Sequence, residues 1–315
     1  MKCDFCTLTD KNYVYKWLAL CNSIETHISR YTIWVLCLDD ESEILIRRLD
    51  KKNVEIVNLS HLRDTELERV RSSRTKQEFA WTCKPSIMSY ILGEKNVAAM
   101  IFVDADMLFY SSPEPLFQKY TDASIMITSH KFSEKKQYIA DIVGYYNSGF
   151  IIFRNDGTSR ACVRRWKNQC IEWCYNFHDK GRHGDQSYLK SWPQDFKNVE
   201  EISEKGANLG TWNLERYTVR KKRGEFYIDD EKLICYHFHG LVVYLEKHGI
   251  LKPYPATVHQ KEIYKIYLKE LQKAYNEIIA VDPSWHYGFA GKLSLLRRIK
   301  QQLTQNTRIV WQYIH

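Results

Sequence analysis

Short apolar runs alternate along the chain with segments whose apolar residues recur at helical spacing, and this pattern predicts strands connected by helices. The predicted strands lie near Cys3–Leu8, Thr32–Leu38, Val54–Leu59, Ala98–Val103, Ser124–Thr128, Gly149–Phe153 and Leu233–Phe238. The predicted helices cover Tyr13–Ser29, Glu41–Lys51, Pro85–Leu92, Thr158–Phe177 and Gln260–Ile279. Strands that are separated by helices imply parallel pairing and a layered α/β core.

The alternation is most regular in the first half and changes character after Pro253-Tyr254-Pro255, where the chain becomes helical. We therefore predict one domain over residues 1–255 and a helical, basic C-terminal appendage over residues 256–315. Lys292, Arg297 and Arg298 lie among apolar residues of this appendage. Such a helix either contacts an anionic membrane surface or docks on the core with a solvated basic face.

The charge balance limits the classes of partner. Lys and Arg exceed Asp and Glu by 46 − 38 = 8 among 315 residues, which suits phosphate-bearing ligands or an anionic membrane surface. Basic residues do not form a block interleaved with aromatic residues, so we expect no nucleic-acid partner.

Nine cysteines are scattered through mostly apolar stretches, and we expect them to be reduced core residues. The first residues reach acidic and polar side chains too early for a signal peptide. The sequence has no apolar stretch of membrane-spanning length. A cytoplasmic location is therefore expected.

Two carboxylates follow a buried strand at Asp104-Ala105-Asp106. Residues i and i+2 of a strand lie on one face, so both acids would reach one ion, and carboxylate oxygens suit Mg²⁺ or Mn²⁺. Ligands of parallel α/β sheets usually bind at this end of the strands. The alternative is that the acids are solvated or cap the next helix.

A second polar corner ends the N-terminal strand at Thr9-Asp10-Lys11-Asn12-Tyr13. Asp10 is a candidate acceptor from a base N–H, Asn12 a candidate ribose ligand and Tyr13 a candidate stacking ring. The competing interpretation is helix capping, for which Asp and Asn are both favoured, and local sequence alone favours capping.

Two later corners offer groups that suit a sugar. Asn147, with Ser148 and Gly149, offers a donor and an acceptor beside a glycine that permits close approach, but a tight turn explains it equally well. Asp185 and Gln186 open a short predicted helix. Asp185 is either a helix N-cap or a carboxylate facing a reacting carbon.

The last predicted core strand ends in His237-Phe238-His239-Gly240. Alternate residues of a strand share a face, and neutral imidazole is a common metal ligand. Lys84 precedes Pro85 at a predicted helix start, where a cation and free helix N–H groups suit phosphate oxygens.

In chain order, these segments resemble the family 8 glycosyltransferases, which include bacterial lipopolysaccharide galactosyl- and glucosyltransferases and glycogenin. The resemblance spans most of residues 1–240. The matching segments are Asp10-Lys11-Asn12-Tyr13, Lys84, Asp104-Ala105-Asp106, Asn147-Ser148-Gly149, Asp185-Gln186 and His237-Phe238-His239-Gly240.

The resemblance implies a GT-A fold, with a mixed sheet flanked by helices, a nucleotide-sugar donor such as a UDP-sugar, and Mn²⁺ or Mg²⁺. It implies that Asp104, Asp106 and His237 ligate the metal, that Asp185 and Gln186 are the catalytic residues, and that the anomeric configuration is retained. The donor-binding residues that it implies are Thr9, Asp10, Asn12, Tyr13, Lys84, Asp104, Ala105, Asn147, Ser148 and Gly240.

One position departs from the family pattern. The HxxGxxK motif is met at His237 and Gly240, but Val243 occupies the lysine position, so Lys247 or Lys252 would have to supply that charge, or it is missing. We expect metal-dependent transfer of a hexosyl group, such as glucose or galactose, to a cell-surface glycan or lipid-linked precursor. The alternatives are a metal-dependent phosphohydrolase or nucleotidyltransferase, a non-catalytic glycan- or nucleotide-binding module, and a peripheral membrane scaffold.

Overall fold

A seven-stranded mixed sheet forms the centre of the protein in the computed structural model, which describes residues 2–254 and 258–291. The strands of the described residues are β1 (Cys3–Thr9), β2 (Tyr31–Cys37), β3 (Val54–Asn58), β4 (Ala99–Val103), β5 (Met107–Phe109), β6 (Ile125–Ser129), β7 (Tyr146–Arg154), β8 (Val199–Glu201), β9 (Leu209–Gly210), β10 (Val219–Lys222), β11 (Glu225–Ile228), β12 (Glu231–Lys232), β13 (Cys235–His237), β14 (Val243–Leu245) and β15 (Leu251–Pro253). The central sheet has the order β3-β2-β1-β4-β7-β6-β8.

Helices cover both faces of this sheet. The α-helices are α1 (Val14–His27), α2 (Asp40–Leu49), α3 (Leu59–Leu62), α4 (Thr65–Arg71), α5 (Lys76–Glu94), α6 (Glu114–Lys119), α7 (Ile139–Val143), α8 (Gly157–Glu172), α9 (Trp192–Asp195) and α10 (Lys261–Val281). Short 3-10 helices lie at Glu134–Lys136, Gln186–Ser191, Leu214–Arg216 and Lys247–Gly249.

Parallel pairing holds among β3, β2, β1 and β4, is interrupted at β7, and returns between β6 and β8. Strand β1 runs parallel to β2 and β4, and β2 runs parallel to β3. Strand β7 is antiparallel to both of its neighbours, β4 and β6. The chain between β6 and β7 returns beside the strand it left, without a helix that spans the sheet, and such a return gives antiparallel pairing. The sheet is therefore mixed.

The last predicted core strand lies outside the central sheet. Strand β13 pairs antiparallel with β5 and parallel with β9 in a separate three-stranded sheet. The apolar run of β13 is buried as predicted, but its partner β5 directly follows the turn after β4. Pairing with β5 therefore places β13 close to the C-terminal end of β4.

The predicted helix start at Pro85 is wrong, because α5 begins nine residues earlier at Lys76. Thr75 and Glu78 form a capping box at its N-terminus, each side chain bonding to the backbone N–H of the other. The capping box therefore sets the start of α5, although proline is favoured in the first turn of a helix. Lys84 consequently lies inside α5 rather than at a helix N-terminus.

The described part of the predicted appendage packs on the core. Helix α10 lies against α1, and Tyr264, Tyr267 and Leu271 are fully buried in the hydrophobic cluster that includes β1. The division at residue 255 stays a prediction, since residues 255–257 lie outside the described residues. The predicted basic membrane contact falls on residues 292–315 and also lies outside them.

The cysteines are as expected, since all nine are buried and unpaired. In residues 2–254 and 258–291, no helix has the length and apolar character needed to cross a bilayer.

Candidate active site

The two predicted acids lie in a turn after β4 rather than on the strand itself, where Met107 N–H donates to the Asp104 carbonyl at 3.1 Å. Pairing of β13 with β5 places His237 opposite Met107, and Phe238 N–H donates to the Asp106 carbonyl at 2.9 Å. His237 Nε2 therefore lies 3.0 Å from Asp106 Oδ1 and 3.8 Å from Asp104 Oδ2. Residues separated by more than 130 positions thus meet at one point.

These groups include a donor set that fits a divalent cation. Single ligand atoms from Asp106, His237 and His239 lie within 4.8 Å of one another, and the described residues contain no other such group. Burial and the neighbouring His237 lower the pKa of His239 to about 4, so its imidazole is neutral near pH 7. Burial opposes ionisation of Asp106, yet the His237 imidazole holds the pKa of Asp106 below its usual range. Carboxylate and imidazole side chains suit Mn²⁺.

A bulge brings β7 against this group. The pairing of β6 and β7 shifts between Ile127 and Thr128, which leaves Ser148 and Gly149 outside that ladder. A Cβ at Gly149 would lie 2.7 Å from His237 Cε1, so only glycine fits beside this imidazole.

Lys84 connects the acids after β4 to the predicted catalytic corner. Its ammonium lies 2.9 Å from Asp104 Oδ1, 3.4 Å from Asp185 Oδ2 and 3.2 Å from Ser148 Oγ. The side chain is only 4% exposed, and burial alone would lower its pKa. The two carboxylates instead raise the pKa of Lys84 above its usual range. Lys84 is therefore a buried cation that joins Asp104 to Asp185.

Two adjoining cavities open around this cluster. The wide cavity, of about 370 Å³, is lined by the β1 corner and the acids after β4. The narrow cavity, of about 90 Å³, is lined by the β7 corner and the start of the Gln186–Ser191 helix. The residues common to both are Gln77, Trp81, Lys84, Asp104, His237 and His239. Asp104 and His237, two of the predicted metal ligands, thus lie where the cavities meet, and the third, Asp106, lines the wide cavity.

The predicted donor-binding, metal-binding and catalytic residues divide between the two cavities, and three of them, Lys84, Asp104 and His237, line both. Those that line the wide cavity are Thr9, Asp10, Asn12, Tyr13, Lys84, Asp104, Ala105, Asp106 and His237. Those that line the narrow cavity are Lys84, Asp104, Asn147, Ser148, Asp185, Gln186 and His237. Gly240 lines neither cavity. Its φ of +75° is a conformation that glycine adopts readily, and it turns the chain after His239.

At the β1 corner, the Asp10 carboxylate is engaged by the turn. Asp10 Oδ1 accepts from the N–H groups of Asn12 and Tyr13 at 2.9 and 3.1 Å, and Oδ2 accepts from Asn12 Nδ2 at 3.3 Å. These bonds hold the turn that precedes α1, so Asp10 shapes the corner. The alternative prediction of helix capping by Asp10 or Asn12 is wrong, because the N-cap of α1 is Tyr13 and its side chain forms no capping bond. The Tyr13 ring is 43% exposed and forms part of the wall.

The narrow cavity is lined by an ordered amide network. Asn147 Oδ1 accepts from Gly149 N–H and from Asn208 Nδ2, each at 2.9 Å. Asn147 Nδ2 lies 3.2 Å from His130 Nε2 and donates to Gln186 Oε1 at 3.5 Å. Both ends of the Asn147 amide are therefore engaged, which fixes its orientation.

Four buried polar atoms of residues that line the narrow cavity have no protein hydrogen-bond partner in the part of the chain that the structure describes. They are His183 Nδ1, Asp185 Oδ2, Trp212 Nε1 and His237 Nδ1. Buried polar atoms usually have partners, so these atoms indicate a polar ligand or ordered water.

Comparisons with known proteins identify the family and the fold of the chain. The family model described as nucleotide-diphospho-sugar transferase matches residues 27–192, which is more than half of the chain. The chain belongs to this family. The uncharacterized protein YfnD of Bacillus subtilis (strain 168) is 32% identical to the transferase over 296 residues, covering 91% of this chain and 94% of YfnD. YfnF of the same organism is 29% identical over 301 residues, covering 93% and 99%.

Solved structures share the fold of the transferase at low sequence identity. The galactosyltransferase LgtC, solved with donor and acceptor sugar analogues, has a TM-score of 0.56 at 14% identity and covers 84% of this chain and 95% of its own. The glycosyltransferase GlyE of Streptococcus pneumoniae TIGR4 has a TM-score of 0.50 at 13% identity, covering 93% and 66%. The fold is therefore that of the GT-A glycosyltransferases, and the chain is a glycosyltransferase of the nucleotide-diphospho-sugar type.

Sequence reasoning about the transferase missed several residues of its narrow cavity. The sequence pattern does not single out Trp212, His130 or His183, which all line this cavity. The Trp212 ring lies edge-to-face against His237 at 5.2 Å and against His130 at 5.5 Å between centroids. Trp212 and His130 are isolated in sequence, so no spacing signal marks them, whereas His183 lies only two residues before Asp185.

Proposed function

We propose that the chain is a metal-dependent hexosyltransferase of the family 8 type, which transfers glucose or galactose from a UDP-sugar. The observation that carries this proposal is the pair of adjoining cavities, with candidate metal ligands at their junction. A nucleotide sugar has the same division, because its diphosphate lies between a base and a sugar.

The wide cavity is the proposed nucleoside site. Leu8, Leu38 and the rings of Tyr13 and Trp81 give it apolar and aromatic walls, which suit a flat base. The narrow cavity is the proposed sugar site, because its buried polar atoms suit hydroxyl groups. Asn147 holds the amide of Gln186 in place, and Gln186 Nε2 donates to the Val143 carbonyl at 2.7 Å.

The proposed ligands of Mn²⁺ or Mg²⁺ are Asp104, Asp106 and His237. His239 is a further candidate, because it lies in the same group as Asp106 and His237. A cation bound there would offset negative charge on a departing diphosphate. Asp104 is held by Lys84, which fixes its carboxylate beside His237. Lys84 also fixes Asp185, the proposed catalytic carboxylate, within the narrow cavity.

The proposal also covers the acceptor, the stereochemistry of the reaction and the location of the protein. We propose a hydroxyl of a cell-surface glycan or lipid-linked precursor as acceptor, retention of the anomeric configuration, and a cytoplasmic location with peripheral membrane contact. The first two have their support in the resemblance to family 8, and the membrane contact in the basic residues after Asp282.

Asp106→Asn tests the proposal, because it removes the charge but keeps the shape of the carboxylate. We expect transfer from UDP-glucose or UDP-galactose to fall by about a hundredfold or more, with the far-UV circular dichroism of the folded protein retained. Asp122→Asn, at an exposed aspartate that lines neither cavity, should keep full activity. Donor hydrolysis that no acceptor panel increases would instead favour a phosphohydrolase. Unchanged transfer by Asp106→Asn would refute the proposed metal site.

A further inference from the structure

A tryptophan of the narrow cavity has a buried donor without an acceptor. Trp212 is 2% exposed and lines the narrow cavity but not the wide one. In residues 2–254 and 258–291, its Nε1 has no hydrogen-bond partner. The indole N–H can only donate, and it usually finds an acceptor when the ring is buried. Trp212 is therefore a candidate donor to a molecule that occupies this cavity.

The position of Trp212, rather than the missing acceptor alone, indicates a ligand. Trp17 and Trp285 also have a buried Nε1 without a partner among the described residues, but neither lines either cavity. Of the twelve buried side-chain atoms without a partner in the described residues, four belong to residues that line the narrow cavity. Such a concentration at one small cavity is expected where a polar ligand completes the hydrogen bonds.

The Trp212 ring is held in place by its neighbours. Its centroid lies 5.2 Å from that of His237 and 5.5 Å from that of His130, and the ring planes are nearly perpendicular. A Cβ at Gly210 would lie 2.5 Å from Trp212 Cζ2, so only glycine lets the backbone approach the ring this closely. Asn213 Oδ1 accepts from the Gly210 N–H at 3.0 Å, which closes the turn that carries Trp212. The direction of the indole N–H is therefore fixed before a ligand binds.

A neutral donor in this cavity suits a sugar hydroxyl. The charged groups of the narrow cavity are engaged with one another, because Lys84 pairs with both Asp104 and Asp185. We propose that Trp212 Nε1–H donates to one hydroxyl of the transferred hexose and thereby contributes to the choice of donor sugar. A buried donor that loses its acceptor is costly, so such a site discriminates against a sugar without that hydroxyl. This inference rests on the proposed function, in which the narrow cavity receives the sugar.

The test is calorimetric titration of the full chain in MnCl₂ with UDP, UDP-glucose and UDP-galactose. Derivatives of the more tightly bound UDP-sugar, each lacking one sugar hydroxyl, complete the set of ligands. In the unaltered chain, one derivative should bind about tenfold more weakly than its parent, because the Trp212 donor stays unpaired. Trp212→Phe removes the N–H but keeps an aromatic ring. It should weaken binding of the parent UDP-sugar about tenfold and binding of UDP less than about twofold.

The two losses should not add. The derivative without the contacted hydroxyl should bind the unaltered chain and Trp212→Phe with equal affinity, because the hydrogen bond is absent from both complexes. Derivatives that lack one of the other hydroxyls should still bind Trp212→Phe more weakly than they bind the unaltered chain. A role of Trp212 in packing alone would instead weaken binding of every derivative alike.

A matched control is Trp17→Phe. Trp17, on α1, is fully buried, and its Nε1 also has no partner in the described part of the chain, but it lines neither cavity. The change removes the same atoms as Trp212→Phe, so it reproduces the effect of a smaller ring in the core without altering the sugar site. It should leave the preference for the UDP-sugar over UDP unchanged.

Equal losses of affinity for UDP and for the UDP-sugar, or an equal loss for every derivative, would overturn the role of Trp212 while leaving the proposed function intact. The same holds if the unaltered chain binds every derivative as tightly as the parent. If the unaltered chain binds neither UDP-glucose nor UDP-galactose with MnCl₂, the proposed function fails and this inference fails with it. If Trp212→Phe does not fold, replacement of Trp212 by benzothienylalanine gives the same comparison, because it keeps the shape of the ring and lacks only the N–H.

Discussion

The two cavities that meet at the candidate metal ligands are built in different ways. The wide cavity is lined mainly by the β1 corner, α5 and the turn after β4, and its Tyr13 is 43% exposed. The narrow cavity combines segments from β7, the Gln186–Ser191 helix and the loop after β9. Its Asn147, Asp185 and Trp212 are all buried.

This difference suggests that the wide cavity mainly selects the donor by its shape, whereas the narrow cavity orients the groups that react. A site with aromatic and apolar walls can select a ligand by its surface, and it tolerates movement of one wall. A buried polar network fixes the direction of each donor and acceptor, so that little reorganisation is needed when charge develops. We therefore expect changes in the narrow cavity to affect folding and turnover together, and changes in the wide cavity to affect mainly donor affinity.

The largest expected effect comes from Lys84, the cation at the junction. Lys84→Met leaves Asp104 and Asp185 without their shared partner, which should lower the free energy of unfolding by about 3–5 kcal/mol. Urea denaturation measures this loss. Lys76→Met is the matched control, because Lys76 lines the wide cavity but is exposed, and it should change stability by less than about 0.5 kcal/mol. Equal effects of the two changes would break the comparison.

Gly149 tests how closely β7 must approach the metal ligands. Gly149→Ala places a Cβ 2.7 Å from His237 Cε1 and 2.9 Å from Asn147 Oδ1, which should cost about 1–3 kcal/mol of stability and weaken Mn²⁺ binding. Titration of Mn²⁺ by electron paramagnetic resonance measures the affinity. Gly157→Ala, at a position with no neighbour within 4 Å, should leave Mn²⁺ binding unchanged. Normal Mn²⁺ affinity in Gly149→Ala would show that His237 need not stay in place.

The sequence predicted the main strands, the alternation of strands and helices, and the chain segments that meet at the cavities. Asp104 and Asp106 could be found because an apolar run ends abruptly in carboxylates. The prediction that both acids reach one ion from the same face of a strand was wrong, since they lie in the turn after β4. Their meeting with His237 depends on β5 and β13, and a three-residue strand such as β5 gives no periodicity of its own.

His130 and Trp212 could not be predicted for a different physical reason. Each is a single residue in an irregular segment, and its significance lies only in neighbours that the fold brings to it. His130 contacts Asn147 through the β6–β7 pairing, with Thr128 opposite Asn147. Local patterns record which face of an element is buried, but they do not record which buried side chains from different elements touch.

The acid sensitivity of the narrow cavity should depend on His130. Its Nε2 lies against Asn147 Nδ2 and its Nδ1 lies 3.2 Å from the Tyr145 carbonyl, so it is neutral with its proton on Nδ1. Burial lowers the pKa of His130 to about 3, against 6.5 ordinarily. Between these values the unfolded chain takes up a proton that the folded chain does not.

Stability should therefore fall with decreasing pH, by up to about 1.4 kcal/mol per pH unit from this residue between pH 6.5 and pH 3. His130→Gln keeps a donor and an acceptor but does not titrate, so its unfolding free energy should fall less between pH 7 and pH 5. Denaturant unfolding at both values measures the difference. Identical pH dependence in both proteins would show that His130 gains a proton in the folded state.

Tyr13 should show the smallest effect on folding and thereby sharpen the contrast. Because its ring is 43% exposed, Tyr13→Ala should change the free energy of unfolding by less than about 0.5 kcal/mol. Loss of a stacking surface should nevertheless weaken UDP binding about three- to tenfold, with little change in kcat at saturating donor. Tyr138→Ala removes a ring that is similarly exposed, at 48%, but lines neither cavity, so it should change neither quantity. A fall in kcat equal to the loss of affinity would mean that the wide cavity positions the reacting groups, and the division between shape and chemistry would then be wrong.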